Sequence, residues 1–395
     1  PEWGVAAEGN RRLVWLELAW ENLTSRADYQ VTVRLEDGAG RLVAQQDKLL
    51  LNNLYALPTS EWAANSMEKD YYWLEVPPTI LPGKYTLNVG VYETGAKTNL
   101  PPLTGRFNPD LTLAAGEVTL EALQEGTDPA LVGPAIPVSY PSGHDPLTLL
   151  GLEAPVPPEM QLGQPLSLPL LLRLEAPLSA PLSFQAELVA ASQSWPLASS
   201  QKLTIPADWP AGSPFLVYLD GRTPRDLPGG TYDLRLSITG QNELGVILGQ
   251  VNVAGRERSY EAPDEGLTPV PAGLEGEVAR LLGYALDLKE GGGGSQASLI
   301  LYWQAVAETD VSYKVFVHLL DPAGNLMAQI DREPQAGAAL TTSWLPGEII
   351  ADAIELPRVD QPTNVQAIAV GMYNSQTGQR LSFGENDHIL LQLRP

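Results

Sequence analysis

Apolar and polar positions alternate along Val31–Leu35, Tyr85–Val91, Tyr232–Ile238, Tyr313–Leu319 and Ile389–Leu393. A period of two puts one set of side chains on a buried face and the other in water, the pattern of antiparallel sheet. The 36 glycines and 35 prolines punctuate these runs, at the spacing of about 8–12 residues typical of many-stranded sandwiches. No long amphipathic helix competes with this reading. Leu274–Leu288 fits either a short helical turn or a strand opening near Leu281–Tyr284. Two turn types recur between the runs. Asp37-Gly38-Ala39-Gly40 and Asp321-Pro322-Ala323-Gly324 predict hairpins, because Asp starts turns and Gly supplies a positive φ where the chain re-enters the sheet. Leu81-Pro82-Gly83 and Leu227-Pro228-Gly229-Gly230 each precede a strand headed by Tyr. The expected fold class is all-β: three tandem antiparallel β-sandwich domains of immunoglobulin or fibronectin-III-like kind.

The number three comes from internal repetition. Ala44-Gln45 and Asp47 recur as Ala328-Gln329 and Asp331, 284 positions on. Trp20 recurs as Trp303, Thr59–Trp62 as Thr341–Trp344, and Val89-Gly90-Val91-Tyr92 as Val370-Gly371-Met372-Tyr373. A period this long marks duplicated domains rather than a solenoid. A middle copy shares Leu149-Leu150-Gly151 with Leu281-Leu282-Gly283, and Trp209 and Gly212 with Trp344 and Gly347. It shares the Leu-Pro-Gly turn and its Tyr strand with the first copy, lacks the Asp-x-x-Gly hairpin, and is the most divergent. The expected boundaries are 1–140, 141–262 and 263–395, with Pro-, Gly- and Asp-rich connectors within 104–140 and 256–273. Gly291–Ser295 falls inside the third copy and reads as a natural hairpin loop, an introduced linker being the alternative.

The charge balance, 47 acidic against 24 basic residues for a net −23, disfavours nucleic acid and anionic membrane as partners, since phosphate contacts need clustered Lys and Arg. With no cysteine, disulfides, thiolate metal sites and Cys nucleophiles are excluded. Three dispersed histidines at 144, 318 and 388 give no His-rich metal site, so no metal and no cofactor is expected. No run of about 18 apolar residues is present. The chain opens on Pro1 rather than Met, which reads as a processed or excised piece, with any membrane attachment in a segment outside it.

The string Leu301-Tyr302-Trp303-Gln304-Ala305, then Tyr313–Asp321, Ala328-Gln329, Asp331, and Thr342-Ser343-Trp344 with Pro346-Gly347-Glu348, resembles a β-sandwich module of bacterial envelope proteins of Chloroflexi type. That module typically follows a multi-helix membrane domain similar to family 39 glycosyltransferases, which use lipid-linked sugars. The third copy carries most of the pattern, the first about half, and the second little. The resemblance implies an extracytoplasmic sandwich array at the cell surface or secreted. It implies no transferase activity, because the catalytic membrane domain is absent from these residues, and it transfers no catalytic residue.

No enzymatic constellation is present: no G-x-S-x-G, H-E-x-x-H, Walker loop or helix-opening G-x-G-x-x-G. The recurrent pairs Asp37/Asp47 and Asp321/Asp331 read as turn and edge-strand residues rather than as paired catalytic carboxylates or calcium ligands. The nine Trp and 14 Tyr, against five Phe, give a better lead, because flat aromatic rings with polar edges stack on sugar rings. Trp62, Tyr71, Tyr72 and Trp73 form the candidate carbohydrate site, with one of the consecutive Tyr71 and Tyr72 facing outward. Recurrence of Trp20/Trp303 and Trp62/Trp344 points to structural use of those rings. The expected function is a non-catalytic binding or spacer region of a larger envelope protein, a glycan- or acceptor-contacting tail beside a lipid-linked-sugar glycosyltransferase. Its partners would be carbohydrate or another envelope protein. The alternative is a structural surface-layer or filament subunit that self-associates through sandwich contacts.

Overall fold

The computed structural model describes residues 1–23, 27–52, 55–96, 98–102, 108, 110–133, 136–137, 147–176, 183–199, 209–239, 245–263, 265–271, 276–289, 296–359 and 364–392 of the chain. Within these the chain is all-β, with five sheets and no α-helix. The first stretch holds β1 (Glu2–Glu8), β2 (Arg11–Glu21), β3 (Tyr29–Glu36), β4 (Leu42–Leu49), β5 (Met67–Val76), β6 (Gly83–Glu93) and β7 (Leu113–Leu120). They form one sheet ordered β1-β2-β5 and another ordered β4-β3-β6-β7. The middle stretch holds β8 (Ile136–Pro137), β9 (Leu147–Leu152), β10 (Glu159–Gln161), β11 (Pro165–Leu174), β12 (Ser183–Ala190), β13 (Gln193–Ser199), β14 (Pro214–Arg222), β15 (Gly230–Thr239) and β16 (Val246–Ala254). These join in a nine-stranded sheet ordered β10-β16-β15-β12-β13-β14-β11-β9-β8. The last stretch holds β17 (Thr268–Pro269), β18 (Ala279–Lys289), β19 (Gln296–Ala305), β20 (Tyr313–Leu320), β21 (Leu326–Arg332), β22 (Ile349–Glu355), β23 (Ala367–Asn374) and β24 (Ile389–Gln392). Its sheets are β17-β18-β19-β22 and β21-β20-β23-β24. All pairings are antiparallel except β10 with β16.

The alternation does what it predicts. In β2, Arg12, Val14, Leu16 and Leu18 point inward and the residues between them outward. Val14, Leu16 and Leu74 of one sheet meet Val31, Val33, Leu35 and Leu87 of the other in a single buried cluster. Two further clusters fill the middle and last stretches. The ambiguous segment at Leu281–Tyr284 belongs to strand β18, whose register against β19 runs out to Lys289 opposite Gln296. Gly291–Ser295 lies outside the described residues. Both Asp-x-x-Gly segments are hairpin turns. Asp37 Oδ1 accepts the Ala39 and Arg41 N–H groups at 2.9 Å. Asp321 Oδ1 accepts those of Ala323 and Asn325 at 2.8 Å. Gly40 and Gly324 take φ of +76° and +81°, which a side chain would strain. The Tyr-headed strands open on a corner: Tyr85 Oη donates to the Leu81 carbonyl and Tyr232 Oη to that of Pro228, both at 2.7 Å. Burial pushes the Tyr85 hydroxyl up to about 12, so it remains a donor at neutral pH.

The recurrent Thr and Trp are structural. Thr59 Oγ1 donates to the Ala27 carbonyl at 2.8 Å and accepts the Tyr29 N–H at 3.0 Å. Thr341 does the same with Val311 and Tyr313, at 2.8 and 2.9 Å. Trp62 Nε1 donates to Leu57 and Trp344 Nε1 to Ala339, each at 2.9 Å.

A second recurrent device closes the edge between the two sheets. Asp70, buried on β5, pairs with Lys48 of β4 in the other sheet. Asp352, buried on β22, accepts from Arg332 of β21 at 2.7 Å and from the Gln335 N–H at 2.7 Å. Each aspartate lies eight positions after its Trp, Trp62 or Trp344. Eight positions after Trp209 the middle stretch has Val217, buried in the apolar cluster. There the corresponding strands touch directly, Ala198 bridging Gly221, and a Cβ on Gly221 would overlap the Leu197 carbonyl.

The stretches meet in two different ways. Strand β14 is buried on both sides. Phe215, Val217 and Leu219 face the middle cluster, whereas Leu216 and Tyr218 pack on the first. Leu216 N–H donates to the Thr79 carbonyl at 2.9 Å, and the Arg41 guanidinium lies 4.2 Å over the Tyr218 ring. Buried Arg12 ties the same end together by donating to the carbonyls of Glu121 at 3.0 Å and Ile80 at 2.5 Å. The middle and last stretches meet instead through charge. Arg225 donates to Thr342 O at 2.9 Å, to Glu308 at 2.8 Å and to Asp310 at 2.8 Å. Arg256 and Arg258 both pair with the buried Glu348. Thus the 256–273 segment, expected as a mere connector, anchors a joint through its two arginines. Gly163, at φ +68°, lies so close that a Cβ would overlap the Thr342 carbonyl.

Gly163→Ala is therefore expected to open this joint. Small-angle scattering should give a larger radius of gyration and limited proteolysis faster cleavage within 256–273, with the core signals of each stretch intact. Burial raises the Asp352 carboxyl above its ordinary 3.8. Between that value and the raised one the folded chain binds the extra proton, so this group's contribution to stability falls as pH rises through the window. The thermal midpoint of the parent, relative to Asp352→Asn, should accordingly improve as pH is lowered from about 7 to about 4. A difference flat across that range would show that Arg332 cancels the desolvation.

Candidate functional site

Strand β5 decides which of the four candidate aromatics reach solvent. Its alternation sends Asp70, Tyr72 and Leu74 inward and Lys69, Tyr71, Trp73 and Glu75 outward. Tyr72 is fully buried and Trp62 is 9 % exposed, both in the first apolar cluster, so neither presents a face to a ligand. Tyr71 and Trp73 are 45 % and 53 % exposed. The consecutive Tyr71 and Tyr72 thus divide as alternation requires, Tyr71 outward, and the exposed partner of Tyr71 is Trp73.

The outer face of sheet β1-β2-β5 brings in a ring that the sequence reading did not single out. Trp15 of β2 is directly opposite Trp73 of β5 and Gly4 of β1. Its indole lies over Gly4, in the space a Cβ there would occupy. Trp15 sits between the inward Val14 and Leu16, so the alternation in β2 was the signal that would have found it. Tyr71 is one row along, opposite Glu17. The rim is charged but paired: Lys69 with Glu17, and Arg11 with Glu75 at 3.0 Å. The Lys69 ammonium, then the Tyr71 hydroxyl, hold the Glu17 carboxyl below its usual range.

β5 is the last strand of its sheet, so the backbone under Tyr71 and Trp73 needs partners from elsewhere. β4 and Asp70 supply them. Gln46 Oε1 accepts the Trp73 N–H at 2.9 Å, Lys48 Nζ donates to the Tyr71 carbonyl at 3.3 Å, and Asp70 Oδ1 accepts the Tyr71 N–H at 2.9 Å. Asp70 Oδ2 accepts the Tyr72 hydroxyl at 2.8 Å. These supporting residues were not flagged in the sequence. Their signal was recurrence, since Lys48 and Asp70 match Arg332 and Asp352 at the repeat offset.

The corresponding face differs in each stretch. In the middle one it carries Leu171, Leu216 and Tyr218, buried or half-buried at the junction with the first stretch. In the last one the outward positions of β22 are Ala351, Ala353 and Glu355. Tyr302 of β19 also faces outward there, half-buried opposite Ala351, so what distinguishes the first stretch is the two exposed rings, Tyr71 and Trp73, in a row on one strand. A shallow cleft of about 580 Å³ is lined by Arg34, Glu36, Gly40, Asn108, Asp110 and Gln376. Its arginine is already paired with Asp110 at 2.6 Å. Among the described residues no group of three or more His, Asp or Glu is placed to hold a metal, and no helix is long and apolar enough to cross a membrane.

No family model and no curated protein matches this chain. Among solved structures, the full extracellular region of plexin A4 aligns over 93 % of this chain and 43 % of its own, at 10 % identity and a TM-score of 0.18. A mutant of Salmonella alpha-2-macroglobulin aligns over 100 % of this chain and 27 % of its own, at 12 % identity and a TM-score of 0.20. The chain therefore spans less than half the length of either, and overlaps this loose carry no argument about activity.

Substitution at the consecutive tyrosines separates surface from core. Tyr72→Phe should destabilise the chain by about 1–3 kcal/mol, because it leaves a buried carboxylate oxygen short of a donor. Tyr71→Phe should leave the midpoint of denaturant unfolding unchanged.

Proposed function

We propose that this chain is a non-catalytic, extracytoplasmic array of three tandem sandwiches, within 1–140, 141–262 and 263–395, whose first member contacts carbohydrate. The immunoglobulin or fibronectin-III-like assignment is supported by strand order. Counting β9, β11 and β14 with β1, β2, β5 and β18, β19, β22, each stretch pairs its first, second and fifth main strands. The third, fourth, sixth and seventh form the other layer, in the order fourth-third-sixth-seventh. Three separate apolar clusters agree with three domains.

The observation that carries the carbohydrate reading is the exposure of Tyr71 and Trp73 beside Trp15 on one sheet face. Exposed aromatic rings on a rigid strand, with hydrogen-bonding groups at their edge, suit the apolar face and hydroxyl rim of a pyranose. The module resemblance adds a setting: a tail beside a lipid-linked-sugar glycosyltransferase, holding glycan or acceptor near the membrane. A second reading, a surface-layer or filament subunit, is favoured by the packing of β14 on the preceding cluster, since it is itself a sandwich-on-sandwich contact.

A glycan-array screen tests the first reading. The parent should bind a subset of glycans, and Trp73→Ala and Tyr71→Ala should each lose about tenfold in affinity without loss of fold. A parent that binds no glycan overturns it.

A further inference from the structure

We infer that the ligand of the Tyr71/Trp73/Trp15 face is a neutral polysaccharide of equatorially linked pyranoses, lying flat across the sheet, and not an acidic glycan or a single terminal sugar. This rests on the carbohydrate reading and narrows it by charge and shape.

Charge comes first. Recognition of a carboxylated or sulfated sugar needs a cation with donors to spare. Lys69 is paired with Glu17 and Arg11 with Glu75. Glu2, opposite Glu17 on β1, adds another carboxylate, so the face is negative within a chain of net charge −23. An anionic polymer is repelled here, whereas hydroxyl groups find acceptors in Glu17 and Glu75.

Shape comes second. A terminal sugar is held in a concave site that buries most of its surface. Tyr71 and Trp73 stand instead on an open sheet face, about 7 Å apart along the strand at the usual rise. Trp15 lies across the neighbouring strand over Gly4, and extends the apolar surface sideways. Pyranoses with equatorial substituents and equatorial linkages form a flat ribbon whose two faces are C–H bonds and whose edges are hydroxyls. Such a ribbon meets an open row of rings; a ring carrying axial hydroxyls or axial links does not lie flat on it. Binding of this kind depends on stacking and changes little with salt.

The test is retention of the whole chain on insoluble β-1,4-glucan, compared with affinity electrophoresis in polygalacturonate and in soluble α-1,4-glucan. Each is run at about 50 mM and about 500 mM NaCl. The expected result is retention on the β-glucan at both salt levels, about tenfold weaker for Trp73→Ala, and no retardation by polygalacturonate. Retardation by polygalacturonate that fades with salt, or preference for the α-glucan, overturns this inference and leaves the carbohydrate reading standing. Failure to bind any of the three, together with a blank glycan array, overturns both. So does a concentration-dependent dimer in sedimentation that Trp73→Ala abolishes, since a second copy would then be the occupant.

Discussion

A sandwich of separate sheets leaves its fifth main strand with an unpaired edge, and the structure depends on how that edge is satisfied. Unpaired backbone groups at a sheet edge need partners or they invite another chain. In the first stretch Lys48 and Gln46 reach the backbone of Tyr71 and Trp73 from the opposite sheet, and the buried Asp70 of β5 itself accepts the Tyr71 N–H. Arg332 and Asp352 repeat the arrangement in the last stretch, with Arg332 also reaching the Ala353 carbonyl. In the middle stretch the ion pair is gone. Val217 replaces the carboxylate, the two strands bridge directly at Ala198 and Gly221, and two sheets become one of nine strands. A buried pair needs both charges to be worth having, so losing one member favours losing the other, and the middle copy has an apolar solution.

The same choice governs what each outer face is free to do. With its edge held by side chains, β5 presents aromatic rings on a rigid support. β14 is held by backbone contact and is apolar on both sides, and its outer face becomes the joint to the preceding stretch. β22 has its clasp but carries only alanines and a glutamate outward. One architecture thus offers an exposed aromatic face, a docking face and a plain face. The two joints differ in character as well. The first is apolar around Leu216 and Tyr218, with an ion pair, Arg41 with Asp220 at 2.5 Å, at its edge, and the second is built from several arginines, two of them around the buried Glu348.

Much of this was legible in the chain. Period-two alternation located the strands, Asp37 and Asp321 marked their hairpins, and the recurrence of Trp62 as Trp344 identified core residues, because a residue retained between copies at one place is serving the fold they share. The same logic, run in reverse, sets the candidate residues apart: Tyr71 and Trp73 have Ala353 and Glu355 at their matching positions, so they are not needed to make the two-sheet core. Trp15 was overlooked because it stands alone among aliphatic neighbours, and Arg256 and Arg258 because a connector rich in polar residues looks the same whether it is solvated or buried in a joint.

The sequence by itself determined the elements and the inward or outward sense of each side chain, since alternation and turn chemistry act between residues close along the chain. It determined the repetition too, which pointed to a structural use of Trp62 and Trp344, whereas Tyr72, whose matching position is Ile354, was placed in the core only by the structure. Only the tertiary structure decided that Trp15 stands opposite Trp73 and Gly4, that Asp70 faces Lys48, and that Leu216 serves the neighbouring core. Those relations depend on register and packing between strands tens of residues apart. A local pattern fixes which way a side chain points, but it does not name what the side chain meets.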